Sequence, residues 1–280
     1  MLTDWFRVTF LLDDNAWLAR HRPEFVAQLK ASYPRGSVFY RRMIDSEWAS
    51  ADGQVYGNWD EHTMTVPERL LPNVERVFMA GLDYGTNHRT RAYLLGLVRV
   101  RYSRRTGLPV WQSTDDEPMT PPEPCLVILA EFAPGTDTVG HHASQFLDWL
   151  DQWSPLGRPT WIAVDPAAKT FRVELFDRGL DNVMRAHNSV VPGIQVVQSL
   201  LTAHKLVVVR ERCPYLIDML PGYQWDTKAT DAGRTAPIKE GDDEADALRY
   251  TVYTSWSEWR DLIPLASVKD HDDTTAEDAA

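Results

Sequence analysis

The chain has 280 residues, 44% of them hydrophobic, with 11 Trp, 10 Tyr and 9 Phe; this excludes a disordered chain and suits one large domain or a main domain with an appendage. A net charge of −11 and a pI near 5.2 exclude the broad basic surface through which proteins usually grip nucleic-acid phosphates. No stretch approaches the ~20 apolar residues of a membrane span, and the N-terminus lacks the basic-then-apolar plan of a signal peptide, so the chain reads as soluble and cytoplasmic.

In chain order, a short strand over 6–11 runs into Asp13-Asp14-Asn15, a helix-start signal, and a helix through about residue 33 that stops at Pro34-Arg35-Gly36. Residues 1–60 hold one helix and fragments, too little for a core of their own. After a polar linker (60–72) come strands over 77–82 and 92–100, a basic turn at 103–107 and a strand over 108–111, which together predict an antiparallel meander. A Pro-rich acidic loop (114–124) leads to a strand over 125–131. Then follow a helix over 142–153, a strand over 160–165, a helix over 168–180 ending at Gly179, and a helix over 192–204. A strand over 206–209, a helix over 213–220 and a closing helix from about Asp243 complete the order. The prediction is an α/β, RNase H-like mixed sheet, three antiparallel strands and then parallel ones, flanked by helices. Cys125 and Cys213 lie in or beside apolar runs without metal-ligand spacing, as a buried, reduced pair would.

Three acids fall where these elements would deliver them to one place. Asp83 ends the 77–82 strand, Glu131 ends the 125–131 strand, and Asp246 lies in the first turns of the closing helix. In mixed sheets, sites gather at the carboxyl ends of parallel strands, and converging carboxylates ionise together only when a divalent cation neutralises them. Hard oxygen donors without a Cys or His cluster favour Mg2+ or Mn2+ over zinc. Two of these acids also have a structural reading, Asp83 as a turn former and Asp246 as a helix-dipole carboxylate, and another carboxylate could take the place of Glu131. Asp165 reads either as an N-cap or as a fourth carboxylate at the rim, and Asp242 and Asp243 as solvated or supporting groups. Arg101, Arg104 and Arg105 at the basic turn read either as a solvated hairpin tip or as a phosphate contact.

Several segments in series resemble the large terminase subunit of tailed bacteriophages, specifically its C-terminal nuclease domain. They are Gly81-Leu82-Asp83-Tyr84-Gly85, Ala130-Glu131-Phe132, Val164-Asp165-Pro166-Ala167, Gly193-Ile194, Tyr223-Gln224-Trp225-Asp226, Pro237-Ile238-Lys239 and Asp246-Ala247-Leu248-Arg249-Tyr250. Upstream, Asp13-Asp14-Asn15, Tyr40-Arg41-Arg42 and Glu47-Trp48 with Gly53-Gln54-Val55-Tyr56 resemble the segment joining the packaging ATPase to the nuclease. The resemblance covers roughly 5–255 and implies two parts, 1–66 as the tail of the ATPase lobe and linker and 67–260 as an RNase H-like nuclease domain; the acidic, small-residue-rich segment 261–280 reads from its composition as a disordered tail.

The resemblance further implies a DNA endonuclease that cuts concatemeric viral DNA in the host cytoplasm during genome packaging. Asp83, Glu131 and Asp246 would hold two Mg2+ or Mn2+ ions, with Asp165 and Asp243 as further candidate ligands. Implied partners are double-stranded DNA, the packaging ATPase lobe or chain, the small terminase subunit and the portal protein. The chain departs from the family pattern at Asp243, where many members carry His. No Gly-x-x-x-x-Gly-Lys-Ser/Thr loop occurs, so no ATPase activity is expected of this chain alone. The rival readings are a junction resolvase or transposase using the same acids, and an inactive nuclease lobe that serves as a docking module.

Overall fold

The computed structural model of the chain describes residues 9–33, 38–47, 53–85, 89–112 and 118–263. Residues 6–8 of the first expected strand, the turn at 34–36, Trp48 and the tail from 264 onward lie outside them. Residues 9–11 carry no strand. The chain then forms helices α1 (Ala16–His21), α2 (Pro23–Ser32), α3 (Val38–Met43) and α4 (Glu61–Met64). The Asn15 side chain caps α1 by accepting from the Leu18 amide. The single helix expected up to residue 33 is instead broken at Arg22-Pro23, because proline has no N–H to continue a helix but fits the first turn of a new one.

Eight strands form the sheet among the described residues: β1 (Thr65–Val66), β2 (Arg76–Asp83), β3 (Arg91–Tyr102), β4 (Pro109–Val110), β5 (Glu123–Phe132), β6 (Trp161–Val164), β7 (Val183–Arg185) and β8 (Leu206–Val209). Their order is β1-β8-β5-β3-β2-β6-β7, with β4 attached to β3. The strands β2, β3 and β5 are antiparallel; β6 runs parallel to β2, β7 to β6, and β8 to β5. This is the expected mixed sheet of RNase H order, with one correction. The third meander strand is β5, whereas 108–111 contributes only a stub opposite Arg101 and Tyr102. Pro109 has no N–H to extend a ladder there.

Helices α5 (Val139–Trp153) and α6 (Lys169–Asp177) cover one face of the sheet. The other face carries α7 (Val190–Thr202), α8 (Pro214–Met219) and α10 (Asp243–Thr254), with α9 (Thr227–Asp231) before α10 and α11 (Trp256–Trp259) after it. Tyr33, Ile44, Tyr56 and Met64, from the segment ahead of the sheet, are buried in this second core and share it with α7. Cys125 and Cys213 are both free and buried. Among the described residues, no helix is long and apolar enough to cross a membrane.

Side chains of a strand alternate between the two cores, so the face on which a terminal acid lands depends on counting residues. Both acidic strands contain one residue more than β3 opposite them. On β2 the register shifts between Val77 and Met79, and on β5 between Ile128 and Ala130. Phe78 and Met79 consequently both face the α7–α10 core, and Leu129 and Ala130 both face the α5–α6 core. These bulges invert the alternation beyond them, which turns Asp83 and Glu131 onto the α10 side.

The helix α10 can lie directly on β2 because residue 81 is glycine. A Cβ there would overlap the Thr251 backbone and hydroxyl. Gly193 on α7 likewise leaves room for the Arg249 side-chain stem. Gly81→Ala is expected to lower stability by roughly 1–3 kcal/mol through overpacking, read as a lower urea midpoint. Gly222→Ala, where a Cβ meets nothing within 4 Å, should stay within about 0.5 kcal/mol of the unaltered chain.

Candidate metal centre

Asp83 closes β2 and is buried. The strand β6 runs beside it with Val164 in register with Leu82, and the Asp165 amide donates to Leu82 O at 2.9 Å. Asp83 and Asp165 therefore end adjacent parallel strands, about 4.8 Å apart in backbone spacing. Asp165 Oδ1 accepts from the Ala167 amide at 3.0 Å. That bond closes a local turn, and the N-cap of α6 is Ala168, so Asp165 is not the cap of that helix.

Glu131 lies two strands away, roughly 10 Å in backbone spacing. Its carboxylate accepts the Tyr215 and Leu216 amides at 3.1 and 3.2 Å, two unsatisfied N–H groups in the first turn of α8. Its carbonyl accepts from Trp149 Nε1 at 3.0 Å. Burial pushes the Glu131 carboxyl above the usual glutamate range; the two amides and Arg91 oppose that rise and Glu244 reinforces it.

Asp246 sits in the first turns of α10 between two cations. Lys239 Nζ donates to its Oδ2 at 3.1 Å and also reaches Asp242 at 2.9 Å, while Arg249 Nη2 lies 2.8 Å from its Oδ1. Burial works against the charged form of Lys239, yet Asp242 and Asp246 outweigh it and raise the ammonium above its ordinary value. Asp243, at the N-terminus of α10, is buried. The Tyr250 hydroxyl, which donates to Asn188 at 3.1 Å, is raised first by burial and further by Asp246, Asp165 and Asp83, with Arg249 opposing.

A second charged group stands over β3. Arg91 Nε donates to Glu244 Oε1 at 2.7 Å, both side chains being more than nine-tenths buried, and Arg89 approaches the same oxygen at 3.7 Å. Burial raises the Tyr93 hydroxyl, Glu131 and Glu244 raise it further, and it has no hydrogen-bond partner. Among the described residues, no three His, Cys, Asp or Glu side chains stand close enough together to hold one ion. The structure thus sets Asp83 and Asp165 at adjacent strand ends, holds Glu131 on the α8 amides, and directs Asp246 toward Lys239 and Arg249.

The donor chemistry nonetheless fits a hard divalent cation. The set is all carboxylate, it occupies strand ends and a facing helix, and Asp246 Oδ1 is buried with no hydrogen bond beyond its ion pair. Glu244, Lys239 and Arg89 are absent from the sequence-based site. Glu244 had a signal, since it lies one turn ahead of Leu248 on a helix whose acidic start reads as uniformly solvated. Arg101, Arg104 and Arg105 are exposed but lie at the far end of β3 from Arg91 and Asp83, ~35 Å away by strand rise. The twelve-residue length of β3 carries them past the acidic end.

The mixed sheet flanked by helices is a fold this chain shares with solved structures. The large terminase of a thermophilic bacteriophage matches 88% of this chain and 54% of its own, at 24% identity and TM-score 0.70. The chain therefore spans about half the length of that protein. The terminase nuclease of thermophilic phage G20c (12% identity, 73% of this chain and 98% of its own, TM-score 0.45) and the g2p nuclease domain of bacteriophage SPP1 (14%, 72% and 97%, 0.46) align too loosely to carry an argument. No protein-family model and no curated protein matches the chain.

The Glu131 shift has a testable sign. A carboxyl whose folded-state pKa is raised favours the folded chain below its unfolded value and loses that contribution as pH rises through the folded one. In EDTA, the stability of Glu131→Gln relative to the unaltered chain should therefore improve as pH rises from about 4 to about 7. Urea unfolding across that range measures it, and a pH-independent difference contradicts it.

Proposed function

We propose that this chain is a metal-dependent DNA endonuclease of a bacteriophage packaging machine, with residues 67–260 as its nuclease domain and 1–66 as the end of an ATPase lobe and linker. The observation that supports the reading is that Asp83 and Asp165 end adjacent parallel strands, with Asp246 in the first turns of α10, the helix that packs on β2. The fold shared with a large terminase supports it.

In this reading Asp83, Glu131 and Asp246 hold two Mg2+ or Mn2+ ions, with Asp165 and Asp243 beside them. When bound, such a pair activates water and stabilises the departing 3′-oxygen. The chain's own contribution is to hold the donors in place. The α8 amides orient Glu131, the parallel ladder of β2 and β6 aligns Asp83 with Asp165, and Arg249 fixes Asp246 on its helix. Lys239 is the competing cation: it bridges Asp242 and Asp246 and must leave for an ion to enter. The substrate is concatemeric double-stranded DNA in the host cytoplasm, presented by the ATPase lobe, the small terminase subunit and the portal protein.

A second reading, an inactive docking module of the packaging motor, is favoured by the ion pairs that occupy Asp246. Plasmid cleavage separates the two. Supercoiled DNA with the purified chain in Mn2+ or Mg2+ should be nicked and linearised, EDTA should abolish this, and Asp83→Ala should reduce it to background. Absent both cleavage and Mn2+ binding, the docking reading stands. Lys239→Met should raise Mn2+ affinity by roughly two- to fivefold, the worth of a part-exposed ion pair, measured by calorimetric titration; unchanged or weaker binding would remove Lys239 from the site.

A further inference from the structure

The chain is acidic overall, yet the charged side chains that line one cleft beside Glu131 are both arginines. It encloses about 670 Å³ between the start of β3, the loop after β5 and α8, and its lining includes Arg89, Thr90, Arg91, His142 and Tyr215. Among the described residues no carboxylate lines it. A neighbouring cleft of similar size shares Arg89 and Tyr215 but carries Asp218, Glu240 and Glu244. The two meet at the exposed Tyr215, whose amide holds Glu131.

The basic cleft is built rather than incidental. Arg91 is 5% exposed and fixed by Glu244 at 2.7 Å and by the Thr90 carbonyl at 2.9 Å, and its guanidinium lies 4.9 Å from the centre of the Tyr215 ring. His142 is 3% exposed and stands edge-on to Tyr84. Its Nε2 is 2.8 Å from the Gly135 carbonyl, which can only accept, so Nε2 carries the proton. That leaves Nδ1 buried without a hydrogen-bond partner, a state that native interiors rarely leave unfilled. Arg89, with its side chain 64% exposed, supplies a second guanidinium at the mouth.

We propose that this cleft binds a backbone phosphate of the DNA strand that lies in the carboxylate site, away from the bond to be cut. The inference rests on the nuclease reading above. Arg89 grips two phosphate oxygens in its planar fork, and Arg91, held in place by Glu244, stands behind it. The adjacent acidic cleft repels the backbone and so sets which way the strand runs from Tyr215. An otherwise acidic chain thereby concentrates its phosphate contact where the cut is made.

The test is fluorescence polarisation of a labelled DNA duplex in EDTA, where no cleavage occurs, over a range of salt. Arg89→Ala should weaken binding about tenfold and lower the salt slope by about one. Arg89→Lys, which keeps the charge but loses the fork, should fall between. Unchanged binding by Arg89→Ala, a loss without a change in salt slope, or no binding by the unaltered chain at low salt would each overturn the proposal. Mn2+ titration of the same proteins separates the two readings: weakened DNA binding alongside absent Mn2+ binding keeps the cleft and discards the nuclease.

Discussion

The close approach of α10 to β2 is the contact on which the site depends. The Thr251 hydroxyl donates to Ala247 within its own helix and lies 3.3 Å from the Gly81 carbonyl, where no side chain intervenes. At that distance the first turns of α10 stand over the strand ends, and three acids of the helix, Asp243, Glu244 and Asp246, are carried into partly or fully buried surroundings. Carboxylates in such places cost free energy unless cations meet them. In this structure Arg91, Arg249 and Lys239 do so.

The bulges on β2 and β5 solve a second problem, one of parity. Without the extra residue on each strand, Asp83 and Glu131 would face the α5–α6 core, where hydrophobic side chains offer a carboxylate nothing. With it, both acids emerge on the face that carries α8 and α10. Glu131 then meets the free amides of α8, and Asp83 meets the Asp165 strand end. The facing of both acids is thus set by two one-residue irregularities in strands that are otherwise regular.

Much of this order was legible. Apolar runs bounded by Gly, Pro and acidic loops located β2, β3, β5, β6 and β8, and helical spacing located α5, α7 and α10, within a few residues. The bulges were not legible, because Val77-Phe78-Met79-Ala80 and Ile128-Leu129-Ala130 are apolar throughout. A strand buried on both faces shows no alternation from which a shift could be read. The short strand β4 was over-read for a related reason, as Val110-Trp111 looks extended while Pro109 limits pairing. The Glu244–Arg91 pair is not legible in the sequence because a buried ion pair leaves no local signature: its members lie 153 residues apart and meet only once α10 crosses β3. The acids themselves stood out because a carboxylate at the end of an apolar strand breaks the pattern.

The electrostatic state of Asp246 ties the fold to the proposed chemistry. Held by Lys239 and Arg249, it is an ion-pair member; in the proposed chemistry, release from Lys239 would free it to bind an ion with Asp83. The most direct measurement is the anomalous scattering of a crystal of this chain soaked in MnCl2. The account predicts density between the Asp83 and Asp246 carboxylates, with Lys239 displaced from Asp246. A crystal that takes up Mn2+ only elsewhere, with the Lys239 and Arg249 pairs intact, would contradict it.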